Sequence, residues 1–337
     1  MMILDEQLGW RHARNVSKVF TNEDGTKALV VQNGNGHRGT EYAGERSKDK
    51  IRIMFLGDSF TEGSQVNEEE LFTTILERAN SNWEVINAGV GGYGTVQEYL
   101  YLVNEGLRFN PDLVVLMVYE NDFSDNCLSY SPSMGPRPHA AWRGNGVQIE
   151  KGPDWKAFRR FGLPVPFQDF LHSHSYVYYF LNTRIYQSIW GSTLKETERE
   201  DLRHTDSCAK YEILRALARE MRVKLREVGS ELMLVAIPTA HDVAAGSSRS
   251  SNQVLQLCSE ENLQCLGLLD ALIESRKNGG EAYFAVDIHW TKIGHQIAAR
   301  ALESFMKSAW STVPASMKHK KTCPLSNVSP QSGAVCR

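Results

Sequence analysis

Five short apolar runs, each closed by Gly, Asn, Asp or Pro, limit the architectures open to this chain: IRIMFLG at 51–57, WEVINAG at 83–89, DLVVLMVY at 112–119, ELMLVAIP at 231–238 and LQCLGLLD at 263–270. Each is shorter than an ordinary helix and too uniformly apolar for a strand with one wet face, so it reads as a strand buried on both sides. Between them lie stretches with helical spacing at 68–80, 95–107, 208–229 and 250–262. A last amphipathic helix is expected at 291–309, with Ile293, Ile297, Ala298, Ala301, Leu302 and Phe305 on one stripe. Strands and helices in alternation predict an α/β fold with a parallel sheet covered on both faces. At 337 residues the chain has length for one such domain carrying an insertion, or for two domains.

One stretch departs from the rhythm. Residues 124–205 are rich in aromatics, among them Trp142, Trp155, Phe167, Tyr178 and Trp190, mixed with Pro and Gly. A segment of that length between two sheet strands reads as an insertion packed on the sheet's carboxyl edge. Its aromatics serve either as a small core of its own or as substrate contacts. Residues 1–50 are read as a lead-in packed on the core, 51–310 as the main domain, and the polar Pro/Ser/Lys-rich end from about 312 as a mobile tail.

Composition excludes several classes. A net charge of -3 without clustered Lys/Arg gives no reason to expect nucleic acid. Six cysteines without a C-x-x-C pair read as reduced, buried thiols and argue against a zinc ribbon. The polar start MMILDEQLGWRHARN lacks a secretory apolar stretch, and no run reaches the ~18 apolar residues of a membrane span, so the default expectation is cytoplasmic.

In an open α/β sheet, ligands bind beyond the carboxyl ends of the strands. The first strand runs into Gly57, Asp58 and Ser59, the second into NAGVGGYG (87–94) and the third into ENDF (120–123); a fourth polar cluster, DIHWTKIGH (287–295), precedes the last helix. All four fall on one rim. They contain what acyl transfer requires. A serine hydroxyl needs an imidazole to take its proton, and a carboxylate fixes the imidazole tautomer and steadies the imidazolium. Ser59, His289 and Asp287 can supply these. Candidate donors to the oxyanion are the Ser59 N–H, the Gly92 N–H and the neutral Asn121 amide.

In these four blocks the sequence resembles the SGNH (GDSL-type) hydrolases: FLGDSFTEG for the serine block, NAGVGGYG for the glycine block, YENDF for the asparagine block and DIHW for the Asp/His block. The resemblance covers about residues 51–126 and 230–305, and the opening LGWRHARN also looks like the lead-in of a subgroup. It implies a flavodoxin-like three-layer α/β/α sandwich with a mostly parallel five-stranded sheet. By position it makes Ser59 nucleophile and oxyanion donor, Gly92 and Asn121 the other donors, Asp287 the orienter and His289 the base. Asp and His stand two apart here, as D-x-H-W, where many members have D-x-x-H; the shorter form looks like that of carbohydrate O-acetyl-modifying relatives. Glu120 precedes Asn121 where the family usually has Gly.

Each block has a competing reading. Ser59 or Asp58 could simply cap the next helix, and Asp58 is read in that structural role. His295 competes with His289 but falls inside the expected helix. His172 and His174 form an H-x-H without further ligands, read as a surface pair, and the phosphoesterase elements that would make Asp287 and His289 metal ligands are missing. GDSFT lacks the final Gly of an α/β-hydrolase elbow. Gly89, Gly91 and Gly94 spell G-x-G-x-x-G after a strand, with Glu120 where a dinucleotide fold keeps its ribose-binding acid, but that leaves Ser59, Asn121 and the Asp287/His289 pair unexplained. The expectation is therefore a serine esterase acting on a small-molecule or carbohydrate ester, without cofactor or metal. O-acyl transfer to a carbohydrate or polyol, dinucleotide binding, and an interaction protein without turnover stand as the alternatives.

Overall fold

The apolar runs form the strands their composition requires. In the computed structural model, which describes residues 2–43, 49–131, 134–144, 146–152, 177 and 208–309, two hairpins come first: β1 (Met2–Asp5) with β2 (Gly9–His12), and β3 (Val16–Thr21) with β4 (Lys27–Gln32). There follow β5 (Ile51–Leu56), α1 (Ser59–Glu62), α2 (Phe72–Ala79), β6 (Trp83–Asn87), α3 (Thr95–Asn104), β7 (Leu113–Val118) and α4 (Asp122–Asp125). Two small antiparallel pairs come next, β8 (Tyr130–Ser131) with β9 (Gly135–Pro136) and β10 (His139–Arg143) with β11 (Gly146–Glu150). The chain continues with α5 (Lys210–Glu227), β12 (Glu231–Ala236), α6 (Ala240–Ala245), α7 (Arg249–Glu261), β13 (Gln264–Gly267), α8 (Leu269–Lys277) and α9 (Lys292–Ala309).

Five strands make the central sheet in the order β13-β12-β7-β5-β6, with every pairing parallel. Counted along the chain this is second, first, third, fourth, fifth, the flavodoxin-like winding that reverses direction between the first strand and the third. Both faces are covered. Met54, Leu56, Ile86, Val114, Leu116, Leu232 and Leu234 pack against α3, α5 and α7, and the alternate residues Ile53, Phe55, Val85, Val115, Met117, Met233 and Val235 pack against α2, α8 and α9. Because neighbouring residues of a strand point to opposite faces, burial on both faces requires the unbroken apolar runs seen in the sequence.

Some expectations need correction. The cysteines at 127 and 208, and those at 258 and 265, form disulfides, with Cα–Cα separations of 6.4 and 6.1 Å. The fold brings each pair within bridging distance, something linear spacing does not encode. The run LQCLGLLD is also not one strand: β13 stops at Gly267 and α8 begins at Leu269. The lead-in forms two hairpins and a following loop, and buried Trp10 of β2 and buried Arg38 of that loop reach the core. Arg38 donates to the carbonyls of Glu62, Gly63 and Val66. Most of the aromatic segment, His172 and His174 included, and the end from 310 lie outside the described residues. Among the described residues no helix is long and apolar enough to cross a membrane.

Candidate active site

At the end of β5 the chain turns into the single-turn helix α1. Asp58 caps it, its side chain accepting from the Phe60 N–H at 2.9 Å, so the capping role belongs to Asp58 and leaves the Ser59 hydroxyl free of the helix. Ser59 Oγ lies 2.6 Å from His289 Nε2. On its other side the ring meets Asp287 through Nδ1, and the His289 amide donates to the same carboxylate oxygen at 2.9 Å. With Nδ1–H pointing at a carboxylate, Nε2 is the acceptor for the serine proton. Partial burial pushes the Asp287 carboxyl up, but the hydrogen bonds from His289 outweigh it and hold the pKa below the ordinary value. The Phe60 ring flanks the imidazole at 5.1 Å, and buried Trp290 stands edge-on behind Phe60 at 5.2 Å. His295, the competing imidazole, is buried in α9, stacked on Phe72, and burial lowers its pKa to about 3.

The short loop carrying Asp287 is held from a distant part of the chain. Glu23, in the turn between β3 and β4, accepts from the Val286 N–H at 2.8 Å and from the Asp287 N–H at 2.7 Å. Nothing in TNEDGT distinguishes Glu23 from an ordinary turn residue, so sequence reasoning missed it.

The glycine block lies against the serine: a Cβ built on Gly91 would stand 3.9 Å from the Cβ of Ser59. Gly92 has φ +75°, a conformation glycine adopts without strain. Among the described residues the N–H groups of Ser59 and Gly92 have no backbone or side-chain partner. Asn121, following β7, donates through Nδ2 to Asp125 Oδ2 at 2.9 Å. Ser59, His289 and Asp287 thus stand in one hydrogen-bonded line, with the glycine block against Ser59 and Asn121 just past the end of the neighbouring strand β7.

The dinucleotide reading does not suit this geometry. Gly91 N–H, which would face a pyrophosphate, donates to Glu62 Oε2 at 2.7 Å, and Gly94 N–H faces Gln97 Oε1 at 3.3 Å. Burial pushes Glu62 up, but His12, the Ser64 hydroxyl and the Gly91 N–H bring its pKa below normal, so an ionised carboxylate occupies the place of a phosphate.

Beneath the site lie three buried acids. Burial raises Asp58 to about 6 and raises Glu98 and Asp122 well above the usual carboxylate range. Asp122 accepts the Tyr119 N–H at 2.8 Å, which fixes the turn that presents Asn121. Among the described residues no group of three or more His, Cys, Asp or Glu is arranged to hold a metal ion.

The model of the GDSL-like lipase/acylhydrolase family matches residues 55–297. No curated protein matches the chain. Among solved structures, a two-domain esterase active on acetylated mannans is 14% identical with a TM-score of 0.44; the match covers 78% of this chain and 50% of that one, so this chain spans half its length. A member of the lipolytic G-D-S-L family from Veillonella parvula is 12% identical with a TM-score of 0.42, over 78% of this chain and 100% of that one. A catalytic mutant of an acetylxylan esterase from Geobacillus stearothermophilus is 15% identical with a TM-score of 0.42, over 77% and 96%.

Proposed function

This chain belongs to the GDSL-like lipase/acylhydrolase family, the serine hydrolases of ester bonds, and on that premise we propose that it cleaves an O-acyl ester through an acyl-enzyme on Ser59. The observation that carries the reading is the line Ser59 Oγ, His289 Nε2, His289 Nδ1, Asp287. His289 takes the serine proton as Oγ attacks the carbonyl carbon. The resulting imidazolium is steadied by Asp287 and then gives the proton to the departing alcohol. Charge gathering on the carbonyl oxygen is met by the free N–H groups of Ser59 and Gly92 and by Asn121. The Asn121 amide has two N–H donors. Asp125 accepts from the amide nitrogen, and the N–H that Asp125 does not take is left for the developing oxyanion. Water activated by His289 then releases the acid.

For the substrate, the D-x-H-W form points to short acyl groups on a carbohydrate or similar polyol. The two disulfides suit an oxidising compartment, which in this proposal replaces the cytoplasmic expectation. A fluorophosphonate probe followed by intact-mass analysis tests the mechanism: one adduct, mapped to Ser59, is expected. A panel of acetyl, butyryl and octanoyl esters, with and without sugar acceptors, tests the substrate class. Octanoyl turnover above acetyl turnover would overturn the short-acyl reading, and acyl-sugar outpacing free acid would overturn hydrolysis.

Asn121→Ala is expected to lower kcat by ~10²–10³, or roughly 3–4 kcal/mol of transition-state stabilisation, with KM little changed. Steady-state kinetics on the preferred ester checks this, and an unchanged kcat would remove Asn121 from the oxyanion site.

A further inference from the structure

The lead-in motif LGWR lies outside the segment that matches the family, and its tryptophan touches the glycine block. Trp10 is 1% exposed, and its indole N–H donates to the Gly91 carbonyl at 3.0 Å. A peptide unit is planar and trans, so the Gly91 C=O and the Gly92 N–H belong to one rigid group and point in opposite directions. Drawing that carbonyl toward Trp10 therefore aims the Gly92 N–H the other way, and that N–H is among those without a partner. The next peptide is held as well. Arg137, 2% exposed, donates from Nη1 to the Gly92 carbonyl at 3.3 Å, from Nε to the Leu128 carbonyl at 3.1 Å and from Nη2 to Asp125 Oδ1 at 2.7 Å. The second oxygen of Asp125 is the one that accepts from Asn121. The guanidinium is planar with its donors in a fixed fork, so it sets the Gly92 peptide and the Asp125 carboxylate at a fixed angle to each other. The chain segments that carry the two holders also touch. Gly9, with φ +91°, abuts the Pro136–Arg137 backbone so closely that a Cβ there would stand 2.8 Å from the Pro136 carbonyl oxygen.

We propose that Trp10 and Arg137 are positioning residues for the oxyanion site: the indole aims the Gly92 N–H, and the guanidinium locks the following peptide and, through Asp125, couples it to Asn121. The lead-in thereby completes a site whose reacting groups all lie beyond it in the chain. Neither residue touches substrate. Both act through groups that do, and the inference rests on the oxyanion reading given above.

Trp10→Phe removes the donor while keeping an aromatic ring in the pocket, and the thermal unfolding of the variant reads the packing lost with the rest of the indole. The expected result is a roughly tenfold lower kcat with KM unchanged, and a matching loss of affinity for a phosphonate or boronate mimic of the tetrahedral intermediate. Arg137→Met is expected to lose about 10- to 100-fold in the same pattern. Asp125→Asn is expected to weaken the effect of Arg137→Met, because both lie on one path to Asn121. Thermal unfolding is recorded for each variant, and if Arg137→Met fails to fold, Trp10→Phe decides. Parental kcat and parental mimic affinity in folded Trp10→Phe, beside a slowed Asn121→Ala, would overturn the positioning role while leaving the oxyanion reading intact. Parental kcat in Asn121→Ala, or an active Ser59→Ala, would overturn both together.

Discussion

Ser59→Ala is expected to lower kcat for the preferred ester by about 10⁴–10⁶ and to abolish the fluorophosphonate adduct, with the protein still folded. The size follows from what remains. Without the hydroxyl no acyl-enzyme forms, and turnover depends on water attacking a carbonyl that the Gly92 N–H and Asn121 still polarise, a residual route worth about 10³–10⁴ over solution. The fold should not suffer, because the hydroxyl's hydrogen-bond partner is His289, whereas α1 is capped by Asp58 and buries Phe60, Thr61 and Glu62. A stability change within about 1 kcal/mol is therefore expected, as for other partly exposed sites where neither cap nor core is touched. Burst kinetics give an independent readout: the parent should release one equivalent of alcohol faster than acid, and the variant none. Turnover by Ser59→Ala at the parental rate, after labelling has excluded contaminating enzyme, would show that the reacting nucleophile is elsewhere.

The parts of this molecule that could be read from sequence are those governed by local rules. LVVLMV at 113–118 has no polar residue, and a strand like that is stable only with both faces covered; it became the middle of the sheet, buried at every position. Rim residues were legible for the same reason, since once the strands are placed, the residues following them lie at one end of the sheet. Contacts made across the sequence were not legible. Trp10 meets Gly91 across 81 positions and Glu23 meets Asp287 across 264, and no spacing or composition marks either. The disulfide between the cysteines at 127 and 208 spans 81 positions and so has no local signature. Boundaries failed where apolar residues continue through a change of structure, as at Leu268 and Leu269 between β13 and α8. The expected helix at 68–80 failed in another way. Leu71 is extended, with ψ 137°, and divides a short 3₁₀ turn at Glu68–Glu70 from α2, while Asn67 and Glu70 satisfy each other across that turn.

Asp287→Asn is expected to reduce kcat by about 10⁴ while leaving the loop in place, because the change removes a charge and an acceptor but keeps the shape. In the parent, the carboxylate accepts both the His289 backbone N–H and the ring Nδ1–H, which leaves Nε2 bare toward Ser59 Oγ at 2.6 Å. An asparagine that turns its NH2 to the ring favours the opposite tautomer, with the proton on Nε2, where it blocks transfer from serine. Its neutral amide also does not stabilise the imidazolium that forms as the serine attacks. Glu23 still accepts from the backbone at 286 and 287, so the loop geometry should survive, and KM should change far less than kcat. The linked pH effect has a definite sign. The folded pKa of Asp287 lies below its ordinary value of 3.8, so the carboxylate contributes stability that is present above that value and lost as pH falls through the folded pKa. The variant should thus be less stable than the parent at neutral pH, and their unfolding midpoints should converge below about pH 4. A constant gap down to strong acid would mean the asparagine acts by altered packing. If kcat survives within tenfold, the imidazole must be oriented by another acceptor, and the hydrogen-bonded line from Ser59 to Asp287 would not be the catalytic one.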